Sequence, residues 1–185
     1  MSRRRDVAPG LFHITCHSVW DLDLYRDDID RTNYCAQLAA TTGRIGWECI
    51  GACLMTTHVH LILGVEQGVL ADGMQELSFR YAIGFNARHR RRGRVLGAPY
   101  GLRRIADDDD LLGVYRYVML NPIDAGLVER PEDWRWSSYA EAIGLSETFS
   151  FVNPGRVLGG LGGAREIAVA RLRAFVERDL PARIR

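Results

Sequence analysis

Trp47-Glu-Cys-Ile-Gly-Ala-Cys-Leu-Met55 is followed by Thr56-Thr57 and then by His58-Val-His-Leu-Ile-Leu-Gly-Val65. Both runs are apolar and of strand length, and the polar pair between them interrupts like a turn. The spacing therefore predicts two strands of an antiparallel hairpin. Upstream, Leu11-Phe-His-Ile-Thr-Cys-His17 alternates like a strand, and Asp27-Asp28 opens a helical stretch through Tyr34, Leu38 and Ala39 that Gly43 closes. Downstream, Leu70, Met74, Leu77, Tyr81 and Phe85 mark one face of a helix reaching roughly Arg91. A loop with a short fourth strand is expected over 93–106. A helix over 111–120 is expected to stop at Asn121-Pro122, with a short helix over 134–143, a glycine-rich linker over 155–163 and a last amphipathic helix over 164–179. The order βα, ββ, α, β is that of the ferredoxin-like split βαβ plan. It is an α+β fold with an antiparallel sheet, helices on one face, and a C-terminal helical extension. That fold hosts many functions, so the site must decide between them.

The 185 residues suit one domain with a real core, and 47% apolar against 25% charged residues exclude a disordered or fibrous chain. The apolar runs are too short for a membrane span. Met1-Ser-Arg-Arg-Arg5 leads into Asp6 and not an apolar core, so no secretory signal is expected. Cys16, Cys35, Cys49 and Cys53 form no CxxC pair and read as reduced, mostly buried thiols of a cytoplasmic protein.

The formal charge of +1 is a sum of opposed blocks. Every basic residue is Arg. Arg80, Arg88, Arg90, Arg91, Arg92, Arg94, Arg103 and Arg104 follow one another with no acid between them, and Asp107-Asp-Asp-Asp110 comes next. An all-Arg complement suits phosphate geometry and is also what a GC-rich genome produces. The basic block is the footprint of a polyanion partner or a solvated helix face. The acidic block precedes an apolar run and reads as helix N-terminal charge.

Two groups of residues could carry chemistry. In His58-Val59-His60, strand alternation puts both imidazoles on one face, where they could chelate a divalent ion or be half-buried strand histidines. In Tyr117-Val-Met-Leu-Asn121, helical spacing puts the phenol and the amide on one face, while Tyr115 faces elsewhere. A phenol becomes a useful nucleophile when a metal draws charge from the phosphate under attack, and an amide oxygen suits a hard ion. The pair could equally be a packing tyrosine and a helix C-cap. His13 and His17 share a strand face and read as packing or rim residues. Tyr81, Phe85 and Tyr100 could stack on bases, with core packing favoured for the first two.

These residues carry a resemblance. Met55-Thr-Thr-His-Val-His-Leu-Ile62 resembles the metal-binding strand of the IS200-like, single-tyrosine transposases of the HUH nuclease superfamily. Tyr117-Val-Met-Leu-Asn-Pro-Ile-Asp-Ala-Gly-Leu-Val128 resembles their tyrosine helix and its exit loop. Pro131-Glu-Asp-Trp-Arg-Trp-Ser-Ser-Tyr139 resembles the next segment of the REP-associated tyrosine transposase branch, and Gly10–Thr15 and Tyr25–Asp28 also fit. The resemblance spans roughly 8–144, so residues 1–144 are assigned to the catalytic domain and 145–185 to a linker and helical extension.

It implies that His58, His60 and Asn121 hold Mg²⁺ or Mn²⁺ and that Tyr117 attacks single-stranded DNA, leaving a 5′-phosphotyrosine. The eight arginines would track single-stranded DNA that contains a hairpin, with no nucleotide cofactor and no membrane, in a monomer or homodimer. The sequence departs from the family at Thr56-Thr57, where a Pro-Asn pair is usual, at His17-Ser18-Val19 in place of Arg-Gly-Asn, and around Val95–Tyr100, where a Phe-Gln stretch is expected. These departures bear on DNA preference and turnover. The alternatives are a non-catalytic single-stranded nucleic-acid-binding module and a water-using phosphodiesterase.

Overall fold

The computed structural model describes residues 7–66, 68–97 and 99–180. Strand β1 (Gly10–His17) leads through a 3-10 turn at Val19–Asp21 to helix α1 (Asp28–Ile45). The expected hairpin follows as β2 (Glu48–Leu54) and β3 (His58–Val65), then α2 (Leu70–Arg88), β4 (Gly101–Ile105) and α3 (Asp108–Asp124). Beyond it lie α4 (Tyr139–Ala142), α5 (Gly155–Leu161) and α6 (Arg165–Glu177). The strands form one antiparallel sheet in the order β2-β3-β1-β4, which is the split βαβ arrangement.

Caps explain where the helices start. Asp27 accepts the Asp30 N–H at 3.1 Å, and Asp107 accepts the Asp110 N–H at 2.9 Å, so each acidic cluster sits in a helix's first turn, where its charge meets the helix dipole. α1 runs past Gly43 and ends at Gly46, whose φ of 80° is the left-handed C-cap conformation. α3 also runs past its expected end, because Pro122 is accommodated inside the last turn and Ala125 N–H closes the helix on the Asn121 carbonyl.

The sheet separates two cores. On one face Phe12, Ile14, Cys16, Val59, Leu61 and Leu63 meet Tyr34 and Leu38 of α1 and Met74, Leu77, Tyr81 and Phe85 of α2. On the other, Ile50, Cys53 and Ile62 meet Val114, Tyr115, Val118 and Met119 of α3, together with α4, α5 and α6. The expectation of helices on one face therefore holds for α1 and α2, and the helices after β4 cover the opposite face. The glycine-rich stretch expected as a linker is helix α5, which buries Val157 and Leu158 in the second core beside Leu172 and Val176 of α6. The short helix expected over 134–143 forms only as α4. The residues before it form a turn, with Ser137 N–H donating to the Trp134 carbonyl at 3.0 Å, and meet β2 at an isolated antiparallel bridge between Cys53 and Ser137, where Leu54 N–H donates to the Trp136 carbonyl at 2.8 Å and Ser138 N–H to the Ala52 carbonyl at 2.9 Å. All four cysteines are free and buried, and no helix among the described residues is long and apolar enough to cross a membrane.

Gly51 sets how closely α3 approaches the sheet. A Cβ there would lie 3.1 Å from the Met119 methyl and 3.3 Å from the Tyr115 ring. Gly51→Val is expected to force α3 outward, costing about 1–3 kcal/mol. At this chain length that is a fall in Tm of several degrees, read by thermal denaturation.

Candidate active site: four imidazoles under a helix tyrosine

Strand alternation sends Ile14, Cys16, Val59 and Leu61 into the first core and turns His13, Thr15, His17, His58 and His60 to the α3 face. The β1–β3 register places Thr15 opposite His60 and His17 opposite His58. His13 and His17, read from the sequence as packing or rim residues, stack on His60 and His58, with His17 exposed at the rim of the cluster. The His13 Nε2 and His60 Nδ1 atoms are 2.9 Å apart and share one hydrogen bond, with the rings stacked at 5.1 Å. Thr15 Oγ1 lies 3.3 Å from the same His60 nitrogen. The His17 and His58 rings stack at 5.0 Å, and Thr57 Oγ1 is 3.3 Å from His58 Nδ1. The signal that could have found the extra pair was there: His13 and His17 alternate with β1's apolar residues, so they share the face that His58 and His60 occupy once the strands pair.

Three of these imidazoles, His13, His58 and His60, are pushed toward the uncharged form. Burial, reinforced by the neighbouring His58 and His13, pushes the His60 imidazole down to about 3, with the Asn121 amide acting in the opposite sense. Burial also lowers His58, with His17 adding to it, and burial together with the Arg103 guanidinium lowers His13. His60 is 3% exposed, and its Nε2 has no hydrogen-bond partner of ordinary geometry. The Nδ1 atoms of both His58 and His60 are engaged, which leaves both Nε2 atoms available. Two neutral imidazoles presenting Nε2, with their other nitrogens anchored, fit a divalent ion. No group of three His, Cys, Asp or Glu side chains in metal-holding geometry exists among the described residues.

α3 brings the tyrosine over this cluster. The Tyr117 ring centroid lies 5.7 Å from that of His60 and 6.0 Å from that of His13, edge-on to both, and the residue is 52% exposed. Asn121, one turn on, donates from Nδ2 to the Tyr117 carbonyl at 2.7 Å, which holds its amide over the tyrosine's turn and beside His60. Tyr115 lies fully buried in the second core, where burial raises its phenol, so the two tyrosines are separated by the helix face they occupy.

The eight arginines divide sharply. Arg103 pairs across the sheet with His13, on the imidazole face, and is tied to Asp110 of α3 at 2.6 Å. Arg104 points the other way, over the Phe12 ring, and donates to the Pro9 carbonyl. Arg80 belongs to α2 on the far face and is paired with Glu76 at 2.7 Å. Arg88 grips Asp27 and the buried Asp30, which His89 also reaches at 2.8 Å; this ties the end of α2 to the start of α1. Arg91 lies over the Phe85 ring. Arg90, Arg92 and Arg94 are exposed and make no ion pair among the described residues. Tyr81 and Phe85 are core residues, and the Tyr81 hydroxyl donates to the Leu24 carbonyl at 2.5 Å.

A fold that disfavours charge on His13, His58 and His60 refuses protons that the unfolded chain accepts. For the metal-free protein, stability is therefore present above the unfolded histidine pKa of about 6.5 and is lost as pH falls below it, toward the depressed folded values. Thermal denaturation in EDTA should show Tm falling from pH 7 to pH 5, and His60→Gln should flatten that slope.

No family model matches the chain, and no curated protein matches it. Among solved structures, a REP-associated tyrosine transposase bound to a REP hairpin superimposes with a TM-score of 0.65 at 15% sequence identity, over 80% of this chain and 88% of that one. The chain has the fold of that REP-associated tyrosine transposase.

Proposed function

We propose that the protein is a metal-dependent single-stranded DNA transesterase that cleaves and rejoins DNA through a tyrosine, and that it acts in transposition or on repeated palindromic elements. The observation that carries this reading is the solvent-facing Tyr117 ring standing edge-on to His60, whose buried Nε2 has no hydrogen-bond partner of ordinary geometry among the described residues. His58, His60 and Asn121 would hold Mg²⁺ or Mn²⁺, which when bound supplies charge stabilisation for the phosphate under attack. The shared fold supports a nucleic-acid partner, since the neighbouring structure is bound to a REP hairpin.

In this mechanism Tyr117 Oη attacks the scissile phosphorus and loses its proton to solvent. The bond from phosphorus to the 3′ oxygen breaks, and that oxygen takes up a proton. A 5′-phosphotyrosine and a free 3′-hydroxyl result, and attack by a 3′-hydroxyl reverses the step. One phosphoester replaces another, so no nucleotide is consumed. Arg103 adds positive charge beside the site, and Arg90, Arg92 and Arg94 are free to follow the backbone. Arg88 is committed to Asp27 and Asp30, and its loss should lower stability more than DNA affinity.

His13 positions His60. When His60 carries its proton on Nδ1 and donates it to His13 Nε2, the His60 lone pair is on Nε2, where a ligand nitrogen needs it. His13→Ala should weaken Mn²⁺ binding by about 10- to 100-fold, read by electron paramagnetic resonance titration, and His13→Gln should restore much of it through its amide acceptor. Tyr117→Phe should abolish the covalent protein–DNA species seen on a denaturing gel with hairpin DNA and Mn²⁺, while binding survives. Adducts persisting in the Phe variant would exclude Tyr117 as nucleophile. EDTA-insensitive, salt-sensitive binding with no adduct under any metal would identify a non-catalytic binding module instead.

A further inference from the structure

Trp20 is 87% exposed, the largest exposure among the apolar residues that stand out from this surface, and its backbone is left-handed at φ 54° and ψ 39°. Tryptophan gains nothing locally from that conformation, which favours glycine, and an exposed indole gains nothing from packing. The turn that carries it is nevertheless firmly held. Ser18 N–H donates to the Thr57 carbonyl at 2.8 Å, Val19 N–H to the Val95 carbonyl at 2.9 Å and Leu24 N–H to the Thr56 carbonyl at 2.8 Å. The loop is thus fastened on one side to the turn that precedes His58 and on the other to the segment beyond Arg94. Gly97 N–H donates to the His17 carbonyl at 2.7 Å and closes the same junction.

Arg90 is left-handed for a structural reason, since Arg91 N–H closes α2 on the Asn86 carbonyl at 2.9 Å, and it opens that arginine segment just past the helix end. An exposed aromatic held in a costly conformation, on a turn fastened beside Arg94, marks a binding site more readily than a structural one. Arg90, Arg92 and Arg94 supply positive charge there with no acidic partner among the described residues, and Trp20 lies three residues beyond His17, so within about 10 Å of it along the chain. Stacking on an indole beside free guanidinium groups is how single-stranded nucleic acid is held without base-specific hydrogen bonds.

We infer that Trp20 is a base-stacking platform for unpaired nucleotides leaving the histidine–tyrosine site, with Arg90, Arg92 and Arg94 taking their phosphates. This rests on the nucleic-acid reading above and extends it to a surface outside the catalytic residues. Of the four tryptophans only Trp20 is exposed, so its emission reports the contact directly.

The test is titration of the full chain with oligothymidylate and with a blunt duplex in EDTA, where no cleavage occurs, following tryptophan fluorescence and the anisotropy of labelled DNA. Oligothymidylate is expected to quench wild-type emission. Trp20→Ala is expected to lose that quenching and about tenfold in single-strand affinity, to keep its duplex affinity and the salt dependence of binding, and to melt no lower than wild type. Trp20→Phe should retain most of the affinity. Equal single-strand affinity and undiminished quenching in the Ala variant would overturn the platform while leaving nucleic-acid binding intact. Failure of the wild type itself to bind either DNA would overturn the functional reading as well.

Discussion

β1 and β3 pair antiparallel from Gly10 opposite Val65 to His17 opposite His58, and these two central strands decide where every imidazole of the cluster lies. Ile14, Cys16, Val59 and Leu61 are driven into the first core by their apolar surface. With side chains alternating between faces, His13, Thr15, His17, His58 and His60 have no choice but the opposite one. A slip of one residue would bury imidazoles among leucines and expose the core, so the hydrophobic face fixes the register, and the register builds the cluster. Its hydrogen bond between His13 and His60 crosses between strands far apart in sequence and exists only because of that pairing.

The second contribution comes from α3. Gly51 opens the space into which Met119 and Tyr115 settle, and this seating leaves Tyr117, on the next face of the helix, above the imidazoles. The Asp107 cap and the Asp110–Arg103 pair fix the helix start against β4, so its rotation is set at one end by charge and in the middle by packing. Burial disfavours charge on His13, His58 and His60, while the Tyr117 phenol is open to solvent. Buried imidazoles beside an accessible phenol form a partly dry site, in which a bound cation would act more strongly on a phosphate than it does in water.

Much of this was legible in the sequence because it depends on periodicity. The hairpin, the apolar face of α2, the acidic helix starts and the shared face of His58 and His60 follow from spacing alone. The hidden part depends on partners distant in the chain. His13 and His17 carried the right alternation, but only strand pairing shows which face they meet. Arg88 and Arg91 read as part of a basic block, yet Asp27, Asp30 and the Phe85 ring occupy them. Pro122 and the glycines of α5 signalled breaks that burial of neighbouring side chains overrides. Trp134-Arg-Trp-Ser-Ser138 has the look of a helix start, but its backbone is claimed by β2.

That pairing with β2 governs how the sheet can meet other chains. β2 and β4 are the two sheet edges, and an unpaired edge is a template on which foreign strands can grow. The stretch after α3 seals the β2 side: Leu54 and Ala52 bond Trp136 and Ser138, and Asn153 N–H reaches the Cys49 carbonyl at 2.7 Å. The β4 side is five residues long and carries Arg103 and Arg104. One border is closed by the chain itself and the other is short and cationic, so the sheet resists runaway strand-by-strand aggregation.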